Sequence, residues 1–142
     1  MKRVLLFFIF ALNLFASTPV LNLNGIYFYD VKEVLNYSNS KDRRKLFLLF
    51  SSEKCSSCVS FKNKLASLDS DTKNSLNSRF IFAIVEDEAK MFQMFQIKST
   101  PTTFVMTQDK KFVIAPMVGE PIDISLFIDY LFKISEIQRN YE

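Results

Sequence analysis

The chain of 142 residues has two cysteines, Cys55 and Cys58, and no histidine. The pair stands in "SSEKCSSCVS", between the apolar run "LFLLF" (Leu46 to Phe50) and a segment with helical periodicity. Three chemistries are open to two thiols at this spacing. The first is a structural bridge. Cross-link stabilisation grows with the loop closed, so a bridge this local would stabilise little. The second is a metal site. Zinc prefers four Cys or His ligands, which this chain could assemble only by sharing a Cys₄ site across a dimer, whereas soft thiolates could carry Cu(I). The third is thiol–disulfide exchange. A helix start carries unpaired N–H groups and a partial positive charge. A thiolate at Cys55 is favoured there, and Lys54 adds a cation. Cys58 falls one turn on, in a stripe with Phe61, Leu65 and Leu68. One sulfur would be exposed and nucleophilic and the other shielded and resolving, the asymmetry that a mixed-disulfide pathway requires.

Positioning such a pair takes a buried strand before it and a packed helix after it. "KLFLLFSS" (Lys45 to Ser52) does not alternate, as expected of a strand covered on both faces. "RFIFAIVE" (Arg79 to Glu86) reads the same way, and "IYFYD" (Ile26 to Asp30) as a further strand. Asp30 caps a short helix over 31–40. A helix runs from Cys58 to about Leu68, with 70–78 as helix or loop. Asp87 to Ile97 forms a helix with acids in its first turn, where the dipole favours them. Thr102–Gln108 and Lys111–Val118 read as a hairpin around Asp109 and Lys110. The last helix lies within 122–140, with Ile124, Phe127, Ile128 and Leu131 on one side. Residues 17–24 read as irregular. Crossover units followed by a hairpin and a covering helix make a three-layer α/β sandwich. The phenylalanines, 16 in all, are read as core.

At the N-terminus, Lys2 and Arg3 precede an apolar run from Val4 to Leu12, and Ala16 and Ser17 follow. That is the layout of a secretory signal peptide over residues 1–16. Retention as an anchor is the alternative, against which the shortness of the run argues. Removing these residues leaves 126, as one domain over 17–142, and lowers the net charge from +3 to +1. That balance leaves no electrostatic footprint for nucleic acid. Export implies an oxidising compartment, expected to be the periplasm, where a disulfide persists.

"KSTPTTFV" (Lys98 to Val105) adds a proline, Pro101, directly before a strand. A buried strand into C-x-x-C at a helix start, then a strand, a helix, "S-T-P-T", a hairpin and Gly119 resembles the thioredoxin family. The resemblance covers about residues 25–138, and "FSSEKCSSC" is most similar to small exported thioredoxin-like proteins of bacteria. It implies a thioredoxin-like α/β/α sandwich with a mixed sheet. It also implies a redox-active Cys55–Cys58 disulfide, a cis Thr100–Pro101 bond against the dithiol, and Thr100 offering its backbone to a substrate strand. No cofactor and no metal are implied. The expected partners are exported proteins with disulfides and a membrane-embedded electron donor, with the chain monomeric. The expected activity is reduction or isomerisation of disulfides. A redox-inactive binding or chaperone module and the Cu(I) carrier are the alternatives.

Three positions depart from the family pattern. Lys54 replaces the usual Trp, Ser56-Ser57 the usual Gly-Pro, and Leu49 the buried acid that helps deprotonate the second sulfur. Glu53 and Glu86 are the candidate acids to replace it, though both fit solvated surface roles better.

Overall fold

The computed structural model describes residues 17–137; the N-terminal segment read as a signal peptide lies outside them. Six strands and five helices follow in the order β1 (Leu21–Leu23), β2 (Ile26–Asp30), α1 (Val31–Asn36), β3 (Lys45–Ser51), α2 (Ser56–Ala66), α3 (Ser70–Arg79), β4 (Phe80–Glu86), α4 (Ala89–Met94), β5 (Thr102–Met106), β6 (Met117–Val118) and α5 (Ile124–Glu136). The sheet order is β1-β2-β4-β3-β5-β6. Strands β2, β4 and β3 are mutually parallel, and β1, β5 and β6 join antiparallel. The sheet is therefore mixed, as expected.

Strand β3 is central and buried at every position. Its side chains alternate between two cores, as the pleat requires. Phe47 and Leu49 join Phe61, Leu65, Leu76, Phe127 and Leu131 beneath α2, α3 and α5. Leu46, Leu48 and Phe50 join Val31, Val34 and Met91 beneath α1 and α4. The result is a three-layer sandwich. Aromatic edges lock helices to sheet. Phe127 meets Phe61 at 5.4 Å and Phe47 at 6.5 Å between ring centres, both edge-on, a geometry that adds to simple burial. Phe61 lies one turn beyond Cys58, so this contact sets the height of α2 on the sheet.

Several boundaries differ from the sequence reading. Residues 17–24 are not all irregular, because β1 pairs with β2 across Asn24-Gly25. Both turn residues take positive φ, 50° and 114°, the requirement of a two-residue hairpin turn. Helix α1 stops at Asn36, and α4 starts at Ala89, short of the span read from Asp87. Asp87 itself takes φ 52°, outside any helix. The second hairpin strand is broken. Met106 bridges Phe112, yet Thr103 pairs with Met117, so two extra residues loop out before β6. Pro116, which has no N–H for a ladder, lies in that loop.

Lys73 of α3 is buried, and its ammonium donates to Ala66 O (2.6 Å) and Asn24 O (2.9 Å). It thereby ties the C-terminus of α2 to the β1–β2 turn. Lys73→Met should remove both bonds, leaving Ala66 O only the 3.5 Å bond from Asn24 Nδ2, and lower stability by about 1–3 kcal/mol. The expected result in urea is a lower midpoint at unchanged slope.

Candidate active site

Strand β3 delivers the chain to the top of the sheet at Ser51. A tight turn follows, closed by Cys55 N–H donating to Ser52 O at 3.2 Å. Cys55 is the N-cap of α2, in extended backbone, and its Sγ accepts the N–H of Cys58 at 3.1 Å. Caps are usually oxygen; here the cap atom is sulfur. The helix runs 11 residues, long enough to present its positive end to that atom. The helix thus begins at Ser56, two residues before the sequence reading placed it.

Cys55 and Cys58 are joined as a disulfide with Cα atoms 5.2 Å apart. Cys55 is half-buried, whereas Cys58 is 1% exposed. Ser57 Oγ lies 3.3 Å from Cys55 Sγ, so its hydroxyl can donate to that sulfur in the reduced state. Thr100 O lies 3.4 Å from the same sulfur, and the Thr100–Pro101 bond is cis. Pro101 is buried and its carbonyl accepts Gly119 N–H at 2.8 Å. Gly119 takes φ 90° with open space around a would-be Cβ, so backbone conformation, not crowding, calls for glycine here. The fold therefore brings Cys55, Cys58, Thr100 and Pro101 together at one end of β3.

Glu53, Lys54 and Glu86 take surface positions. Leu49 sits 1% exposed inside the apolar core under α2. Glu53 is exposed, and Glu86 takes Lys62 at 3.2 Å. Lys54 is exposed and its charge acts on Asp87. Among the described residues, no group of three or more His, Cys, Asp or Glu could hold a metal, and no helix is long and apolar enough to cross a membrane.

Sequence reasoning missed Asp87, reading it as a helix-dipole acid. Its carboxylate instead accepts Glu53 N–H at 3.0 Å, and its own N–H donates to Ser51 O at 3.2 Å. Asp87 thus braces the loop that carries Cys55. The Glu53 N–H first, then the Ser52 hydroxyl, hold this carboxyl below its ordinary value of 3.8, with burial opposing them. The available signal was its place directly after a buried strand, level with the end of β3.

Two results are expected from this geometry. Near neutral pH, iodoacetamide should alkylate Cys55 of the reduced protein roughly tenfold faster than Cys58, because thiolate character and access coincide there. Faster labelling of Cys58 would reverse the assignment. The Asp87 brace should also be pH-dependent. A carboxylate with a lowered folded value stabilises above its unfolded value and stops doing so as pH falls through the folded one. Protection of the Glu53 amide from hydrogen exchange should be full above about pH 4 and decline in stronger acid. Asp87→Ala should remove it at every pH.

The sequence profile of a thioredoxin-like domain matches residues 31–123. No curated protein matches the chain closely enough to count as a relative. Among solved structures, a thioredoxin-fold protein from Helicobacter pylori is 18% identical with a TM-score of 0.62, over 84% of this chain and 86% of that one. A thioredoxin from Thermus thermophilus is 19% identical with a TM-score of 0.64, over 79% and 88% respectively. A DsbH oxidoreductase is 12% identical with a TM-score of 0.61, over 86% and 92%. At these identities the likeness is one of fold. With the profile spanning more than half of its residues, the chain belongs to the thioredoxin-like domain family.

Proposed function

We propose that this protein is a thiol–disulfide oxidoreductase that reduces or isomerises disulfides in exported proteins through Cys55 and Cys58. The observation that carries this reading is the asymmetry of the pair. A half-buried sulfur caps the positive end of α2, and its bonded partner is fully covered. Reduced Cys55 attacks a substrate disulfide and forms a mixed disulfide, and Cys58 then displaces the substrate as its thiol. Thr100 offers backbone beside the Cys55 sulfur. Val59 and Val118, both exposed, lie next to Cys58 and Gly119 and give an unfolded chain apolar contact without sequence selection.

The direction follows from what surrounds Cys55. Its redox equilibrium depends on how strongly the protein stabilises the thiolate. The dipeptide between the cysteines supplies hydroxyls, of which Ser57 reaches the sulfur, and no charge. Lys54 is solvated and shared with Asp87, so screening leaves it a small effect. These features favour a reductant or isomerase over a dedicated oxidant. The N-terminal segment supports export to the periplasm. In an oxidising compartment a reductant needs recharging, which calls for an electron donor embedded in the membrane. The mature chain is proposed to act as a monomer.

The test is insulin reduction with dithiothreitol. The parent should accelerate it, Cys55→Ser should be inactive, and Cys58→Ala should accumulate trapped mixed disulfides with substrates. Equilibration against glutathione should give a potential below about −200 mV, and a value near about −120 mV would exclude the reductive direction.

A further inference from the structure

Beneath the dithiol, the central strand ends on a hydroxyl with no partner. Ser51 is fully buried, and its Oγ is shielded from solvent without a hydrogen bond. Such a group costs free energy unless some state of the protein satisfies it.

Its place follows from strand alternation and register. Phe47 and Leu49 face the core under α2, and Leu48 and Phe50 face the other. Ser51 therefore points toward α2. On one side it pairs with Glu86 of β4. On the other, Leu49 pairs with Thr103 and Phe50 with Thr102, which brings Pro101 level with Ser51. Glu86 bonds Lys62, one helical turn beyond Cys58 on α2. The hydroxyl thus lies under the first turns of α2, between Glu86 and Pro101, on the side to which Cys58 is turned.

We propose that Ser51 is the hydrogen-bond donor to the Cys58 sulfur in the reduced protein. The inference rests on the dithiol reading above. In the disulfide, Cys58 Sγ is held against Cys55 and Ser51 has no partner. Reduction breaks that bond, the sulfurs part, and Cys58 Sγ is free to turn toward the sheet. An anionic sulfur there accepts a charge-assisted bond, stronger than a neutral one. Ser51 so supplies part of the stabilisation that Leu49, in place of an acid, does not. In the resolving step Cys58 loses its proton to water and its thiolate attacks Cys55 Sγ. The Cys55–Cys58 bond forms as the Cys55–substrate bond breaks. The electron pair leaves on the substrate sulfur, which takes a proton from water. Over the cycle the substrate disulfide gains two electrons and the dithiol loses two, while Ser51 keeps its proton.

The charged groups around the dithiol are already engaged elsewhere. Lys62 and Glu86 hold each other, as do Lys64 and Glu120. Asp87 holds the loop bearing Glu53 and Lys54, and Asp123 caps α5. None of them bonds the Ser51 hydroxyl.

In a Cys55→Ala background, Cys58 is the sole thiol, and its thiolate can be followed by ultraviolet absorbance against pH. Adding Ser51→Ala should leave about tenfold less thiolate at a given pH, and Ser51→Thr should restore it. With both cysteines present, Ser51→Ala should favour the disulfide about tenfold against glutathione, about 30 mV. The stability of the oxidised protein should not fall. An unchanged titration, or equal loss of stability in both redox states, would overturn the proposal and leave Ser51 a packing residue. The titration needs no exchange activity. A flat result with active protein therefore sinks this inference alone, and inactive protein with a shifted titration sinks only the functional reading.

Discussion

The site hangs on one hydrogen bond, from the Cys58 N–H to the Cys55 sulfur at 3.1 Å. It makes the cap of α2 the same atom as the proposed nucleophile, the Cys55 sulfur. Any cap must sit where the first turn's N–H groups converge, and that is also where a negative charge is best stabilised. The requirement of the helix and the requirement of the chemistry are met by the same atom. Covalent closure to Cys58 then needs no separate device, since residues one turn apart on a helix are neighbours.

Holding that atom in register with the sheet falls to packing. Phe61 against Phe127 and Lys62 against Glu86 pin α2 at two points within a turn of Cys58. Asp87 braces the loop from β4, and Gly119 holds the carbonyl of Pro101 from β6. The braces come from α5, the end of β4 and the residue after β6, and all converge on the end of β3. The central strand is hydrogen-bonded on both sides, by β4 and β5. The loop that carries Cys55 is mounted there, while Ser56 and Lys54 beside it stay exposed.

Much of the fold was legible because local and global signals agree. The unbroken apolar runs of β3 and β4 state burial on both faces, and Asp30 announces a helix start that it does cap. Disagreement arose where a neighbour in space decides. The Asn24-Gly25 turn needed β1 to be recognised as a strand, and its three residues carry little pattern of their own. Asp87 sits after a strand and before a helix, so sequence assigns it to the helix. Only the return of β3 alongside β4 reveals a loop amide waiting for its carboxylate. The break before β6 had a visible signal in Pro116, outweighed by the apolar residues around it.

By itself the sequence determined the cysteine pair, the strand before it, the helix after it and the apolar residue at Leu49. These are properties of adjacent residues, set by periodicity and backbone chemistry. Tertiary structure decided which groups meet across the sheet. It set β4 between β2 and β3, brought Thr100 to Cys55, tied Asp87 to Glu53, and left the Ser51 hydroxyl unpaired under α2. The meeting of Thr100 with Cys55 alone joins residues 45 positions apart. Strand order and register place them, and a single chain's local pattern encodes neither, because the same apolar strand can pair with several partners.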